Sequence, residues 1–282
     1  MIFDLNRKYV KYMFPTIEIF GLSLGTYGIT TAVGLILMGL VAIKLSRNFF
    51  IKIEDIVLGE VFSLIGGFIG AHILYGITNL DYIAKAIGIY NSTDQDGEFL
   101  WKAIYAAVGG MVFYGGLLGA LGFGMIYCKI RHINVKYFAD SFAVGIPLFH
   151  AFGRLGCFLS GCCYGIESTF GFTATNALVD SCNNVNRFPV QLLEGGLNII
   201  LFVVLLLLFK SENFKGSMIF MYLAGYSIIR FFDEFLRGDT YRGIWLGLST
   251  SQWISVVLFA VSIVFLIRFF KNKQKVEFVY RG

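Results

Sequence analysis

The sequence predicts an all-α, polytopic integral membrane protein with about seven transmembrane helices, the N-terminus outside and the C-terminus cytoplasmic. Three observations predict it. Of 282 residues, 57% are hydrophobic, 15% are charged and three are proline, a balance foreign to an ordinary soluble globule. Seven apolar stretches have roughly the 20-residue length that crosses a bilayer as a helix. Basic residues gather in alternate connections, the pattern that marks the cytoplasmic face.

The predicted spans are 21–45, 56–77, 103–127, 137–160, 190–209, 216–236 and 252–270. After the first comes Lys44, Arg47 and Lys52, and after the third Lys129, Arg131 and Lys136. After the fifth stand Lys210 and Lys215, and in the tail Arg268, Lys271, Lys273 and Lys275. All of these fall on one side; the intervening segments are poorer in basic residues, apart from Arg7, Lys8 and Lys11 at the amino end. The start, MIFDLNRKYVKYMF, lacks the long apolar run of a cleavable signal, so the first span is expected to stay in the protein. The whole chain, 1–282, reads as a single transmembrane domain. The longest connections, 78–102 with Asp94, Asp96 and Glu98, and 166–189 with Cys182, Asn183 and Asn184, lie outside on this topology.

The net charge of +5 is therefore a topology signal, and no basic run interleaved with aromatics suggests nucleic acid. Of five cysteines, Cys157, Cys162 and Cys163 share the spacing C-x4-C-C, with Cys128 and Cys182 apart. No histidine or second cysteine pair stands near to complete a tetrahedral zinc site, so no metal is expected. A small apolar packing role is the ordinary fate of a membrane cysteine. A disulfide to Cys182 is not deducible from spacing.

Polar residues converge at the ends of several spans. GRLGCFLSGCCYG, 153–165, puts Arg154 at membrane depth, where a guanidinium costs roughly 2.5–3.5 kcal/mol by insertion scales unless it faces protein or a wet cavity. YSIIRFFDEFLRGD, 226–239, aligns Arg230, Glu234 and Arg237 on one stripe at about 100° per residue, with Asp233 beside it. Simple i,i+4 pairing at a helix end accounts for the outer residues, but Arg230 lies too deep for that account alone. FPVQLLEGG brings Gln191 and Glu194 to the start of the fifth span, and GTYG brings Tyr27 to the first. FYGGLLGA contributes Tyr114, Gly115 and Gly116, while Gly119, Gly122 and Gly124 read as close helix packing. His72 and His150, inside spans, read as hydrogen-bonded residues rather than catalysts. Two arginines from different spans imply a shared anionic target, and in a bilayer the abundant one is a phospholipid headgroup.

At GTYG, FYGGLLG, GRLGCFLSGCCYG, PVQLLE, RFFDEFLRGD and LSTSQWIS, taken in that order along nearly the whole chain, the sequence resembles the prolipoprotein diacylglyceryl transferase family of bacterial membrane enzymes. The resemblance implies an enzyme of the bacterial cytoplasmic (inner) membrane. Such an enzyme moves a diacylglyceryl group from phosphatidylglycerol to the lipobox cysteine of a prolipoprotein, forming a thioether, releasing glycerol phosphate and using no cofactor. By the same match Arg154 and Arg230 hold the phosphate and Glu234 orients Arg230. Tyr27, Gly115, Gly116, Cys157, Cys162, Gln191, Glu194 and Arg237 line the substrate site, with Arg237 at the headgroup entrance.

The chain departs from better-known members. Where they resemble G-R-x-x-N-F-x-N-G-E, Cys157 stands for the first asparagine, Ser160 for the second and Cys162 for the glutamate, and Tyr114 stands where a histidine is usual. The resemblance therefore leaves the base that deprotonates the acceptor thiol open, with Tyr114 as the candidate. Two rivals lie outside this reading. A thiol-disulfide oxidoreductase built on Cys157, Cys162 and Cys163 leaves Arg230 and Glu234 unexplained. A lipid or small-anion transporter commonly carries internal repeats, and the two halves show no self-similarity.

Overall fold

The structure, a computed structural model, describes residues 10–80, 109–239 and 243–281. Residues 103–108 of the third predicted span, and Asp94, Asp96 and Glu98, lie outside these. The eight described helices are α1 (Thr26–Ser46), α2 (Ile53–Thr78), α3 (Phe113–Ile130), α4 (Val135–Ala143), α5 (Ile146–Ser160), α6 (Val190–Phe209), α7 (Met218–Asp233) and α8 (Thr250–Arg281). Four helical segments are long and apolar enough to cross a membrane: Thr26–Phe49, Ile53–Thr78, Val190–Phe209 and Thr250–Lys273. The pair α4 and α5 adds a fifth if counted as one span, bent by 43°. The bend falls at Val144-Gly145, with Pro147 in the first turn of α5, where a proline lacking an N–H is tolerated.

Several boundaries differ from the sequence expectation for local reasons. The first helix starts at Thr26 rather than 21, because Phe20 and Gly21 both take positive φ. They turn β2 (Thr16–Ile19) back onto β3 (Leu22–Gly25) as a hairpin. The sixth predicted span, 216–236, is α7 followed by a 3-10 turn over Glu234–Leu236. The chain is extended at Arg237, with φ −85° and ψ 138°. Arg237 therefore leaves the stripe on which helical periodicity had set it.

The described contacts form two compact units, Met1–Leu45 with Ala139–Gly282, and Ser46–Phe138. In the smaller unit α2 and α3 pack backbone to backbone. A Cβ on Gly70 would lie 2.3 Å from the Gly115 carbonyl oxygen, and one on Gly119 would lie 2.1 Å from that of Gly66. This is the close approach that small residues give to membrane helices, where lipid supplies no hydrophobic drive between them. The packing role expected of Gly119 thus holds, whereas a Cβ at Gly122 would meet nothing within 4 Å.

In the larger unit α5 packs on α6, α6 on α7 and α7 on α8. Helix α1 approaches α5 where a Cβ on Gly156 would strike the Thr30 hydroxyl at 2.2 Å. The buried Asp140 carboxylate accepts hydrogen bonds from the backbone N–H groups of Gly216 and Ile219, an anion at the positive end of α7. Outside the helices, β4 (Glu167–Thr175) pairs in parallel with β1 (Val10–Tyr12) and antiparallel with β5 (Asn186–Arg187). A small cluster of Met13, Tyr164, Ala174, Ala177 and Cys182 packs there.

Candidate active site: arginines, carboxylates and three thiols

The site is assembled at one end of α5, α6 and α7 in the larger unit. Helix α5 stops at Gly161, whose φ of +71° is left-handed, and the N–H of Cys162 then reaches back to the carbonyl of Cys157 at 3.0 Å. This is a Schellman-type end, which only glycine enters without a Cβ penalty. It folds the five-residue separation of Cys157 and Cys162 back on itself. Cys163 follows with φ +54°. The three sulfurs lie within 4.8 Å of one another. The Gln191 amide fixes the turn from α6, donating to the Cys162 carbonyl at 2.8 Å.

The strand that leaves the thiols is tied to the end of α7. Ile166 donates to the Leu236 carbonyl and Gly238 donates to that of Tyr164, each at 3.0 Å. Gly165 thereby pairs with Arg237. The Arg237 guanidinium, 5% exposed, forms a two-point bond with Asp239, at 3.1 and 2.8 Å. Its orientation is thus fixed by a neighbour two residues on instead of by the helix.

Arg154 and Arg230 converge on carboxylates. Arg154 Nε meets Glu194 Oε2 at 2.7 Å, with the carboxylate only 2% exposed. The Tyr226 hydroxyl donates to the other Glu194 oxygen at 3.5 Å. Arg230 Nη2 meets Glu234 Oε2 at 2.7 Å and the Ser251 hydroxyl at 3.2 Å. Its Nη1 stands 3.5 Å from Asp233 Oδ2 but makes no hydrogen bond. Glu194 is an electrostatic neighbour of both arginines and of Asp233. The buried Glu194 pairs directly with Arg154 and is an electrostatic neighbour of Arg230, whose direct partners are Glu234 and Asp233.

Pairing of this kind orients a guanidinium while leaving other donors of the fork open. Arg154 gives its Nε to Glu194, and its Nη1 points to Cys157 Sγ at 4.0 Å. Tyr27, at the start of α1, neighbours Cys157, Arg154 and Cys162. His150, one turn before Arg154, lies against Tyr226, with ring centroids 4.6 Å apart, and its Nδ1 is 3.4 Å from the Tyr222 hydroxyl. Asp233, 2% exposed, was visible in the sequence only as a flank of the arginine stripe. Its burial follows from the packing of α7 and α6, which no single-helix pattern records.

Of the residues expected at the site, Tyr27, Arg154, Cys157, Cys162, Gln191, Glu194, Arg230, Glu234 and Arg237 belong to the larger unit. Tyr114, Gly115 and Gly116 belong to the smaller unit, in the first turn of α3. There Gly115 carries helix packing, since its Cβ would lie 2.3 Å from the Gly70 carbonyl oxygen. Cys182 stays a free thiol apart from the three, in the cluster beneath β4, where burial pushes its pKa up.

Comparison with known proteins extends the resemblance to the whole helical body. The family model described as prolipoprotein diacylglyceryl transferase matches residues 15–268. A protein of Clostridioides difficile named phosphatidylglycerol–prolipoprotein diacylglyceryl transferase is 34% identical over 85% of this chain and 88% of its own. Similar proteins of the same name come from Clostridium perfringens, where it is numbered 2, at 31% over 86% and 89%, and from Campylobacter jejuni, at 28% over 91% and 93%. The chain, with its paired arginines and its match from before the first helix into the last, belongs to the prolipoprotein diacylglyceryl transferase family.

Proposed function

We propose that this protein transfers a diacylglyceryl group from phosphatidylglycerol to the lipobox cysteine of prolipoproteins in the bacterial inner membrane. The carrying observation is that Arg154 and Arg230, from two helices, both neighbour the buried Glu194, each paired with a carboxylate and each with guanidinium donors left over. The names of the relatives supply the substrates, phosphatidylglycerol and a prolipoprotein.

The reaction is a displacement at carbon. The acceptor sulfur forms a bond to the terminal glyceryl carbon while the bond from that carbon to the phosphate oxygen breaks, and the electron pair leaves with glycerol phosphate. Negative charge grows on the departing phosphate, so fixed donors facing it lower the barrier more than they stabilise the bound lipid. Arg230 Nη1, buried without a hydrogen-bond partner, is such a donor, and Arg154 supplies the second. Glu234 and Glu194 hold the two forks in register. Tyr27, Gln191 and Arg237 border the same end of the unit and are assigned to headgroup recognition. Tyr114 with Gly115 and Gly116 is assigned to the substrate path on the strength of the family motif alone.

The single domain is taken to cross the membrane seven times, amino end outside, which puts the three thiols and Arg237 toward the outer face where exported lipoproteins emerge. Cysteine-scanning accessibility from either side of intact cells tests that topology. Release of glycerol phosphate from phosphatidylglycerol by the purified protein, dependent on a lipobox peptide, tests the activity. Its loss in Arg154→Ala and Arg230→Ala supports the assignment of the arginines, and full release by either variant contradicts it.

A further inference from the structure

We propose that Cys157, Cys162 and Cys163 form a three-thiolate Zn2+ site whose fourth position takes the sulfur of the acceptor cysteine. The inference rests on the transferase reading above and supplies the acceptor activation that reading leaves open.

The sulfurs already lie within 4.8 Å of one another. Zinc at about 2.3 Å from each would set them about 3.8 Å apart in a tetrahedron, so closure needs movements of no more than about 1 Å. Local backbone geometry keeps the three sulfurs together. The left-handed Gly161 folds Cys162 over Cys157, the Gln191 amide pins the Cys162 carbonyl, and Cys163 is itself held in a left-handed conformation costly for a side-chain-bearing residue.

Thiolate sulfur selects zinc and other soft or borderline cations over magnesium or calcium. Among the described residues the group holds three cysteines and no histidine or carboxylate. Three protein ligands with an open position is the pattern of catalytic zinc, and four ligands that of structural zinc. A zinc held by three thiolates carries a net negative charge. Arg154, whose Nη1 lies 4.0 Å from Cys157 Sγ, and Arg237, an electrostatic neighbour of Cys163, offset it.

The step balances without a redox partner. The acceptor thiol binds zinc as thiolate and its proton passes to water. A sulfur lone pair then forms the bond to the glyceryl carbon, and the carbon–oxygen pair leaves with the phosphate. The resulting thioether is a neutral, weaker ligand, so it departs and leaves zinc on its three cysteines. A coordinated thiol is deprotonated outright, so no side-chain base is needed.

The test uses the full-length protein in detergent. Metal analysis of the purified wild type should give about one zinc per chain, the one-site expectation. After stripping by a chelator, Co2+ should produce a thiolate-to-cobalt charge-transfer band, and a lipobox peptide should shift the cobalt spectrum by adding a fourth sulfur. Cys163→Ser should lose the band while Cys182→Ser keeps it. Transfer by stripped protein should fall roughly a hundredfold, the scale of losing acid–base help, and return with Zn2+.

No cobalt–thiolate band on the wild type overturns the site, as does its isolation with two of the three sulfurs joined in a disulfide. Undiminished transfer by stripped protein overturns the activating role and leaves the transferase reading intact. Absence of product in every metal state counts against the transferase reading, while the cobalt spectrum, which needs no turnover, still decides the site.

Discussion

Replacing Glu194 by Gln separates the structural from the chemical contribution of the central ion pair. The substitution is nearly isosteric, yet it removes the negative charge from Arg154 Nε, 2.7 Å away, in a place where the carboxylate is 2% and the arginine 17% exposed. Leaving one member of a buried pair uncompensated costs about 3–5 kcal/mol. At ~2–4 °C per kcal/mol for a chain of this size, thermal unfolding in detergent should fall by roughly 6–20 °C. Replacing both partners by apolar residues of similar volume, as in Arg154→Met with Glu194→Leu, removes the unpaired charge, and stability should return to within about 1–2 kcal/mol of the wild type. Transfer should not return, because the guanidinium that meets the leaving phosphate is gone. Differential scanning of both variants, with product formation measured on the same preparations, checks this. A double variant that is both stable and active would refute the role of Arg154.

Other consequences are independent of that pair. Gly119→Val puts its Cβ 2.1 Å from the Gly66 carbonyl oxygen where ordinary contact begins at 3.4 Å. Helices α2 and α3 must part by ~1.3 Å, and a loss of about 1–3 kcal/mol in thermal stability should follow. Gly122→Val, which meets nothing within 4 Å, should be near neutral by the same measurement. Cys182, with its pKa raised by burial, should resist maleimide at neutral pH and react only above the ordinary thiol range. Because its folded-state pKa is the higher one, the stability it lends is complete below the unfolded thiol pKa. That stability is lost as pH rises through the folded value, which alkaline unfolding of wild type against Cys182→Ala measures. Asp239→Asn removes the charged partner that holds Arg237 at two points, so KM for phosphatidylglycerol should rise several-fold with little change in kcat if Arg237 serves the headgroup.

The helical body was legible in the sequence because bilayer-length apolar runs are a one-dimensional signal. The fifth predicted span, 190–209, coincides with α6, and the second differs from α2 by a few residues. The bend between α4 and α5 was hidden inside a continuous apolar run, although Gly145 and Pro147 mark the spot. The strands β1 and β5 went unread because they are three and two residues long, and the nine-residue β4 because it gains its hydrogen bonds from these segments, β1 far along the chain.

The site divides in the same way. Arg230 with Glu234 was readable as an i,i+4 pair on one helix. The pairing of Arg154 with Glu194 spans two helices, and nothing local encodes it. Arg237 was misplaced because the periodicity was continued past the point where α7 tightens into a 3-10 turn. The grouping of the three thiols was concealed by their spacing. Yet Cys157, Gly161 and Cys162 together spell a left-handed helix end, which is the local signal that brings the sulfurs together.

The mass of a lipobox peptide incubated with the purified protein and phosphatidylglycerol decides the transferase activity most directly. The peptide should be heavier by one diacylglyceryl group, attached through the cysteine sulfur as a thioether stable to reduction. No such product should form with Arg154→Ala or Arg230→Ala. A peptide left at its original mass by active, folded wild-type protein with every phospholipid tried would contradict the transferase reading.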